Sequence, residues 1–393
     1  MSTFEIEIPQ QELDALKRRL QETRWADDFE NDDWYYGMPA GYLHELVQYW
    51  IDGFDWRAQE ASMNRFTHKR IVLDDVPIHF IHQPGRGKRV VPLILSHGWP
   101  WSFWDFEQVI EPLSDPAAHG LDDDIAFDVV VPSLPGFGFS SPLRRTGIGP
   151  QATADLWHRV MTEELGYDRY GAHGGDWGAF VTANLAHAYA DRLIGAHLSL
   201  PALLGIDFGG ANATGRPFVT AEDYAPEEAG WYEGWTYRMS TFARAHSVVH
   251  RASPQTLGWA FNDSPVGLAA WIVERRRNWS DNSGDVEEVF SKDFLLTLVS
   301  LYYLTATAHT SMRAYKDMGL DTWKPRHDRK PVLEAPIGMA VFPQDLLLLP
   351  RTMVAQYSNL VHWTVMPRGG HFAAAEQPEL LTEDIRKFFS SLS

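Results

Sequence analysis

Hydrophobic positions near the start of the chain recur at helical spacing. Leu13, Leu16 and Leu20 fall at i, i+3 and i+7, and Leu43, Leu46, Val47 and Trp50 repeat the pattern. Both segments are therefore predicted to be amphipathic helices. Ile71-Val72-Leu73 and Ile78-His79-Phe80-Ile81-His82 read as a hairpin around 74–77, stopped by Pro84-Gly85. From residue 90 the rhythm changes. Val90–Ser96, Phe127–Val131 and Ile194–Leu200 are near-continuous apolar runs, separated by helical patterns at about 102–113, 152–165 and 178–190. Strands without in/out alternation, spaced by helices, predict a parallel sheet covered on both faces.

Residues 203–330 break that alternation, first with Pro and Gly, then with helical patterns rich in Trp, Tyr and Arg. The alternation resumes at Pro336–Phe342 and Val361–Met366 and closes with a helix near 379–390. The expected organisation is an α/β fold in four spans: an N-terminal block 1–89, a core 90–202, a helical lid 203–330 and the rest of the core 331–393.

Composition narrows the chemistry. There are 34 Lys+Arg against 52 Asp+Glu, a formal charge of −18, which argues against a protein that tracks nucleic-acid phosphates. The absence of Cys rules out disulfides, thiolate metal sites and a Cys nucleophile. No run approaches the ~18 apolar residues a membrane span requires. No signal peptide is visible either, so the expected setting is cytoplasmic, with no membrane partner. The 16 Trp are the unusual number. Many indoles imply either a large aromatic core or an apolar pocket.

The sharpest local signal is Gly174-Gly175-Asp176-Trp177-Gly178, in which an exposed residue is flanked two positions away on each side by glycine. That is the pattern of a nucleophile elbow between a strand and a helix. An isolated example more often marks an Asp capping a helix. Here Asp345 follows one predicted strand, and His371, in Gly369-Gly370-His371-Phe372, follows the next. Nucleophile, acid and His at successive strand ends is the chain order of the α/β-hydrolase fold. A carboxylate nucleophile attacks an sp3 carbon and forms an ester. A neutral His371 then takes a proton from water while Asp345 fixes its tautomer. The turn His97-Gly98-Trp99-Pro100 is expected to aim the Trp99 N–H, with that of Trp177, at an oxyanion. His97 itself is expected to hold its loop rather than to catalyse. Pro135-Gly136-Phe137-Gly138 lacks the third glycine of a dinucleotide loop, and no His spacing suits a metal, so neither cofactor nor metal is expected.

With these residues in view, the chain resembles the epoxide hydrolases of the microsomal type. The similarity runs through Tyr49-Trp50-Ile51-Asp52-Gly53-Phe54-Asp55-Trp56-Arg57, His97-Gly98-Trp99-Pro100, Gly175-Asp176-Trp177-Gly178, Ser264-Pro265-Val266-Gly267-Leu268-Ala269-Ala270-Trp271 and Gly370-His371-Phe372. The resemblance implies that Asp176 opens an epoxide by backside attack and that water activated by His371 releases the diol. It also implies two lid tyrosines that protonate the epoxide oxygen. One matches Tyr315. The other position holds His246, counting back from Ser253-Pro254-Gln255-Thr256, with Tyr237 as an alternative donor. Trp101 stands where glycine is commoner and is expected to narrow the pocket, with Trp231, Trp235 and Phe372 as further pocket walls.

The expected partners are a small-molecule epoxide, bulky and apolar or aromatic, and water. A homodimer is the usual closed assembly. Two other readings share the Asp and His residues: a haloalkane-type dehalogenase, and a ring-closing or ligand-binding member of the fold. The N-terminal block, Tyr315 and the lid phrase favour epoxide hydrolysis. Trp99, Trp101, Trp104 and Trp177, with the lid indoles Trp231, Trp235, Trp259, Trp271, Trp279 and Trp323, are expected to surround one cavity.

Overall fold

A computed structural model describes residues 2–206, 218–320 and 323–392. Nine strands among them form one sheet: β1 (Ser2–Phe4), β2 (His68–Leu73), β3 (Val76–Gln83), β4 (Arg89–Ser96), β5 (Ile125–Pro132), β6 (Tyr170–Gly174), β7 (Leu193–Leu198), β8 (Leu333–Val341) and β9 (Ser358–Val365). Their spatial order is β1-β2-β3-β5-β4-β6-β7-β8-β9. The first three strands and the β3–β5 pair are antiparallel, and every pair from β5 to β9 is parallel. The architecture is the α/β-hydrolase fold. The apolar runs that predicted the inner strands are buried on both faces, as helix-covered parallel strands must be.

The expected boundary at 89/90 falls inside this sheet. β3 is buried along Val76–Ile81, and Phe80 to Gln83 pair with Pro132 to Val129 of β5. A strand covered on both faces needs neighbours on both edges, so the N-terminal hairpin forms part of the main sheet. Its turn places Asp74 and Asp75 at φ +50° and +64°, the left-handed pair that a two-residue hairpin requires and that Asp tolerates better than most residues.

The N-terminal helices Gln10–Gln21 and Ala40–Asp52 bury Leu16, Leu20, Leu46, Val47 and Trp50 in the main core. They also touch the lid, through Arg19 to Asp263 at 2.8 Å and the Tyr49 hydroxyl to Asp293 at 2.8 Å. Between β7 and β8 lie the lid helices, including Trp231–Arg238, Ala245–Ala252, Pro265–Trp279 and Ala308–Leu320. Of the expected lid span, 207–217 and 321–322 lie outside the described residues. No helix among the described residues is long and apolar enough to cross a membrane.

Candidate active site

β6 ends at Gly174, and the helix Asp176–Ala188 begins two residues later. The turn between them is tight enough to hold Asp176 at φ +48°, a left-handed conformation that costs a side chain of this type energy and recurs at functional turns. The small flanking residues are required. A Cβ on Gly178 would collide with the Ser96 carbonyl, and one on Gly98 would collide with the Asp176 carboxylate itself. The elbow therefore pushes its carboxylate against the turn that follows β4.

There the Trp99 N–H donates to Asp176 Oδ1 at 2.7 Å. The Trp177 N–H lies in the first turn of its helix, where amides have no intrahelical acceptor. Asp176 Oδ2 is 3.2 Å from His371 Nε2, and His371 Nδ1 is 2.7 Å from Asp345 Oδ1. The loops after β8 and β9 thus bring Asp345 and His371 into line with Asp176. Both side chains are almost fully buried, while Asp176 keeps a 20% exposed carboxylate facing the remaining space. Burial by itself would depress the His371 pKa, but the flanking carboxylates of Asp345 and Asp176 outweigh it and raise it to about 10. The resting imidazole is therefore charged at neutral pH.

His97 is the other imidazole near this turn. Its Nε2 accepts from the Leu134 N–H at 3.0 Å and its Nδ1–H donates to the Gly98 carbonyl at 2.9 Å. Both nitrogens are used, and burial lowers its pKa to about 4. It fastens two loops and is neutral.

Opposite the carboxylate, the lid contributes a stack of rings. His246 lies flat on Trp99, with ring centroids 4.9 Å apart and planes 9° apart, and its Nε2 is 3.0 Å from the Tyr315 hydroxyl. The Tyr315 ring meets Trp177 edge-on at 4.7 Å. His250 packs against Trp99 and Tyr315, and the Trp271 indole N–H donates to its Nε2 at 3.3 Å. Burial lowers the pKa of His246 well below its usual value and raises that of Tyr315 well above it. The pair is an uncharged imidazole beside a phenol that keeps its proton.

Several expected site residues lie elsewhere. Tyr237 is 64% exposed on the outer side of its helix and is no alternative donor, because the helix that carries it buries Trp235 instead. Trp235 donates its indole N–H to the Tyr224 hydroxyl at 2.7 Å, and Trp231 stacks on Trp363 of β9. These indoles are packing contacts between the lid and the core edge. Trp104 packs with Phe66 and Phe103 toward the N-terminal helices, and Trp259 is 70% exposed. Trp101 and Phe372 are buried behind His371 rather than at a pocket mouth, with the Trp101 ring 5.6 Å from the imidazole. The large aromatic next to Pro100 fills space beneath the imidazole, and the Tyr302 hydroxyl holds its carbonyl at 2.7 Å.

Arg276 escaped the sequence reading, whereas Trp279 was expected among the indoles around the cavity. Arg276, fully buried, pairs with the fully buried Asp105 at 2.6 Å and donates to the Pro100 carbonyl at 2.8 Å. Trp279 packs against Trp99, His246, His371 and Phe372. The signal was present: Ile272, Val273, Arg276 and Trp279 fall at i, i+1, i+4 and i+7 and mark the buried face of the lid helix.

Comparison with known proteins shows the family. Residues 1–106 match the family described as epoxide hydrolase N terminus, and residues 91–376 match the alpha/beta hydrolase fold. Epoxide hydrolase 1 of Sus scrofa is 35% identical over 99% of this chain and 88% of its own length. The Aspergillus niger epoxide hydrolase structure superposes with a TM-score of 0.82 at 28% identity, covering 100% of this chain and 96% of that one. The juvenile hormone epoxide hydrolase of Bombyx mori gives 0.87 at 26% identity, covering 100% and 94%. A carboxylate elbow facing a buried His–Asp pair, carried on a chain similar to these enzymes along its whole length, places the protein in the epoxide hydrolase family.

Proposed function

We propose that the enzyme converts a bulky, apolar epoxide to a vicinal diol through an ester on Asp176. Asp176 Oδ2 attacks the less hindered face of an oxirane carbon, and the C–O bond breaks on the opposite side. Oδ1 stays on the Trp99 N–H and becomes the ester carbonyl oxygen. Tyr315 gives its proton to the departing alkoxide, a poor leaving group without one. His246 supports that transfer by hydrogen-bonding the phenol oxygen, which steadies the phenolate that forms. One phenol and one neutral imidazole thus do the work of two tyrosines.

Esterification removes the charge of Asp176 and with it one of the two supports for the imidazolium. The His371 pKa falls, so the ring gives up its proton, which by way of solvent restores the Tyr315 phenolate to a phenol. The neutral imidazole is then free to act as base just when an ester is present. Neutral His371 then takes a proton from water, hydroxide attacks the Asp176 carbonyl carbon, and the resulting oxyanion rests on the Trp99 and Trp177 N–H groups. Collapse of that intermediate expels the diol as an alkoxide that takes the proton of the new carboxyl group, which restores Asp176 as a carboxylate and leaves His371 protonated as at rest.

The observation that carries the reading is the division of one carboxylate between two partners, Oδ1 with an amide donor and Oδ2 with the imidazole. An apolar substrate suits the pocket that borders Trp177 and is lined by Leu134, Pro135, Phe137, Ile148, Val181 and Ala314. Product analysis with styrene oxide and a 1-haloalkane tests the assignment. Diol from the epoxide is expected, and halide release without diol formation would overturn it.

A further inference from the structure

The loop that carries His371 is hydrogen-bonded to the end of a lid helix. The His371 N–H donates to the carbonyl of Trp279, the last residue of the helix Pro265–Trp279, at 2.9 Å. Two residues further on, the Asp281 N–H donates to Glu376 Oε2 at 2.8 Å, and the same oxygen accepts from the Gly370 N–H at 2.8 Å. Glu376 Oε1 accepts from the Phe372 N–H at 2.7 Å. The Asp281 carboxylate answers in the other direction, accepting from the Gly369 N–H at 2.8 Å. One buried carboxylate therefore holds the amides on both sides of His371 and an amide at the lid end together.

A Glu that only capped its own short turn would need only the Phe372 N–H. The bonds to Gly370 and Asp281 come from two other segments, and there is no slack between them. A Cβ on Gly370 would sit 2.7 Å from the Trp279 carbonyl oxygen and 2.8 Å from the Asp281 nitrogen. Burial raises the Glu376 carboxyl to about 7 against the pull of these three amides and of His371. Burying a carboxylate is costly, and charge-assisted hydrogen bonds to amides offset the cost only in this closed arrangement.

We propose that Glu376 is a positioning residue for the second half of the reaction: it fastens the His371 loop to the lid end, so that the imidazole is aligned as a base only while that end is seated. This rests on the Asp176 ester reading. The first half does not run through this joint. Asp176 is held by the elbow and the Trp99 N–H, its 3.2 Å contact with His371 is one that Oδ2 gives up when it attacks, and Tyr315 stands on a different lid helix, Ala308–Leu320. Loosening the joint should therefore slow ester hydrolysis and spare ester formation. A general loss of structure would depress both.

The test is rapid-quench mass spectrometry of the covalent ester with styrene oxide, using wild type, Glu376→Gln and Asp281→Asn. Glu376→Gln keeps the size of the side chain but replaces one acceptor oxygen with an amide NH₂ facing backbone donors. Ester decay should slow about tenfold, the effect of roughly one lost hydrogen bond, while ester formation keeps its rate. In steady state, with hydrolysis limiting, kcat and KM should then fall by the same factor and kcat/KM should hold. Asp281→Asn, which leaves Glu376 in place, should show the same pattern at about a third of the size and carries the test if Glu376→Gln does not fold. Ester decaying at the wild-type rate in the folded variants overturns the proposal alone, as does a fall in kcat/KM that matches the fall in kcat. Absence of ester in wild type overturns the Asp176 reading, and this proposal with it.

Discussion

The two sides of the active site are held by different physics. On the core side, Asp176, His371 and Asp345 are linked by charge-assisted contacts of 2.7 to 3.2 Å, each on a loop at a strand end. On the lid side, two hydrogen bonds, His246 to Tyr315 and Trp271 to His250, are set in a stack of rings. Ion pairs and amide donors fix position sharply and fail abruptly when one partner is removed. Ring packing is distributed over many weak contacts and degrades by degrees. The core side should therefore be unforgiving and the lid side graded.

Substitutions can break that contrast. Asp176→Asn removes the nucleophile, and turnover of styrene oxide should fall by about six orders of magnitude, as for other nucleophiles that act as a unit with their base. Tyr315→Phe keeps the ring packing and removes the proton donor, so kcat for ester formation should fall about 10²-fold. His246→Phe preserves the stack on Trp99 but leaves Tyr315 without its hydrogen bond, and a loss of roughly tenfold is expected. If His246→Phe were as damaging as Asp176→Asn, the imidazole would be a direct participant and the graded picture of the lid would be wrong.

Stability against pH sharpens the same contrast. His371 has a folded pKa of about 10 against an ordinary 6.5, so the stabilisation it brings is complete below about pH 6.5 and is lost as pH rises through about 10. Denaturant midpoints should accordingly fall between pH 7 and 10. Asp176→Asn removes one of the supporting carboxylates and should flatten that fall. On the lid side, His246 and His250 are already neutral, so their substitution should leave the slope unchanged.

The same division separates what the sequence made legible from what it hid. The elbow glycines, Asp176, Asp345 and His371 were readable because strand-end loops in this fold follow fixed chain order and the turn admits few residue types. The parallel strands were readable because burial on both faces leaves a continuous apolar run. The hairpin's membership of the main sheet was hidden, since a strand's neighbours are not written in its own pattern. The lid was harder still. Trp231, Trp235 and Tyr237 share a segment whose aromatic residues point in several directions, and only tertiary packing decides which of them face the site. Glu376 gave no signal, because its acceptors' partners are backbone amides, and every residue but proline has one.

The indoles of Trp101 and Trp279 flank the His371 ring edge-on, at 5.6 and 5.4 Å between centroids. A protonated imidazole at that range quenches indole emission, whereas a neutral one does so weakly. The enzyme thus carries an optical gauge of its own base: fluorescence from these two residues should brighten as the ester forms and the imidazole discharges, and dim again as the diol leaves.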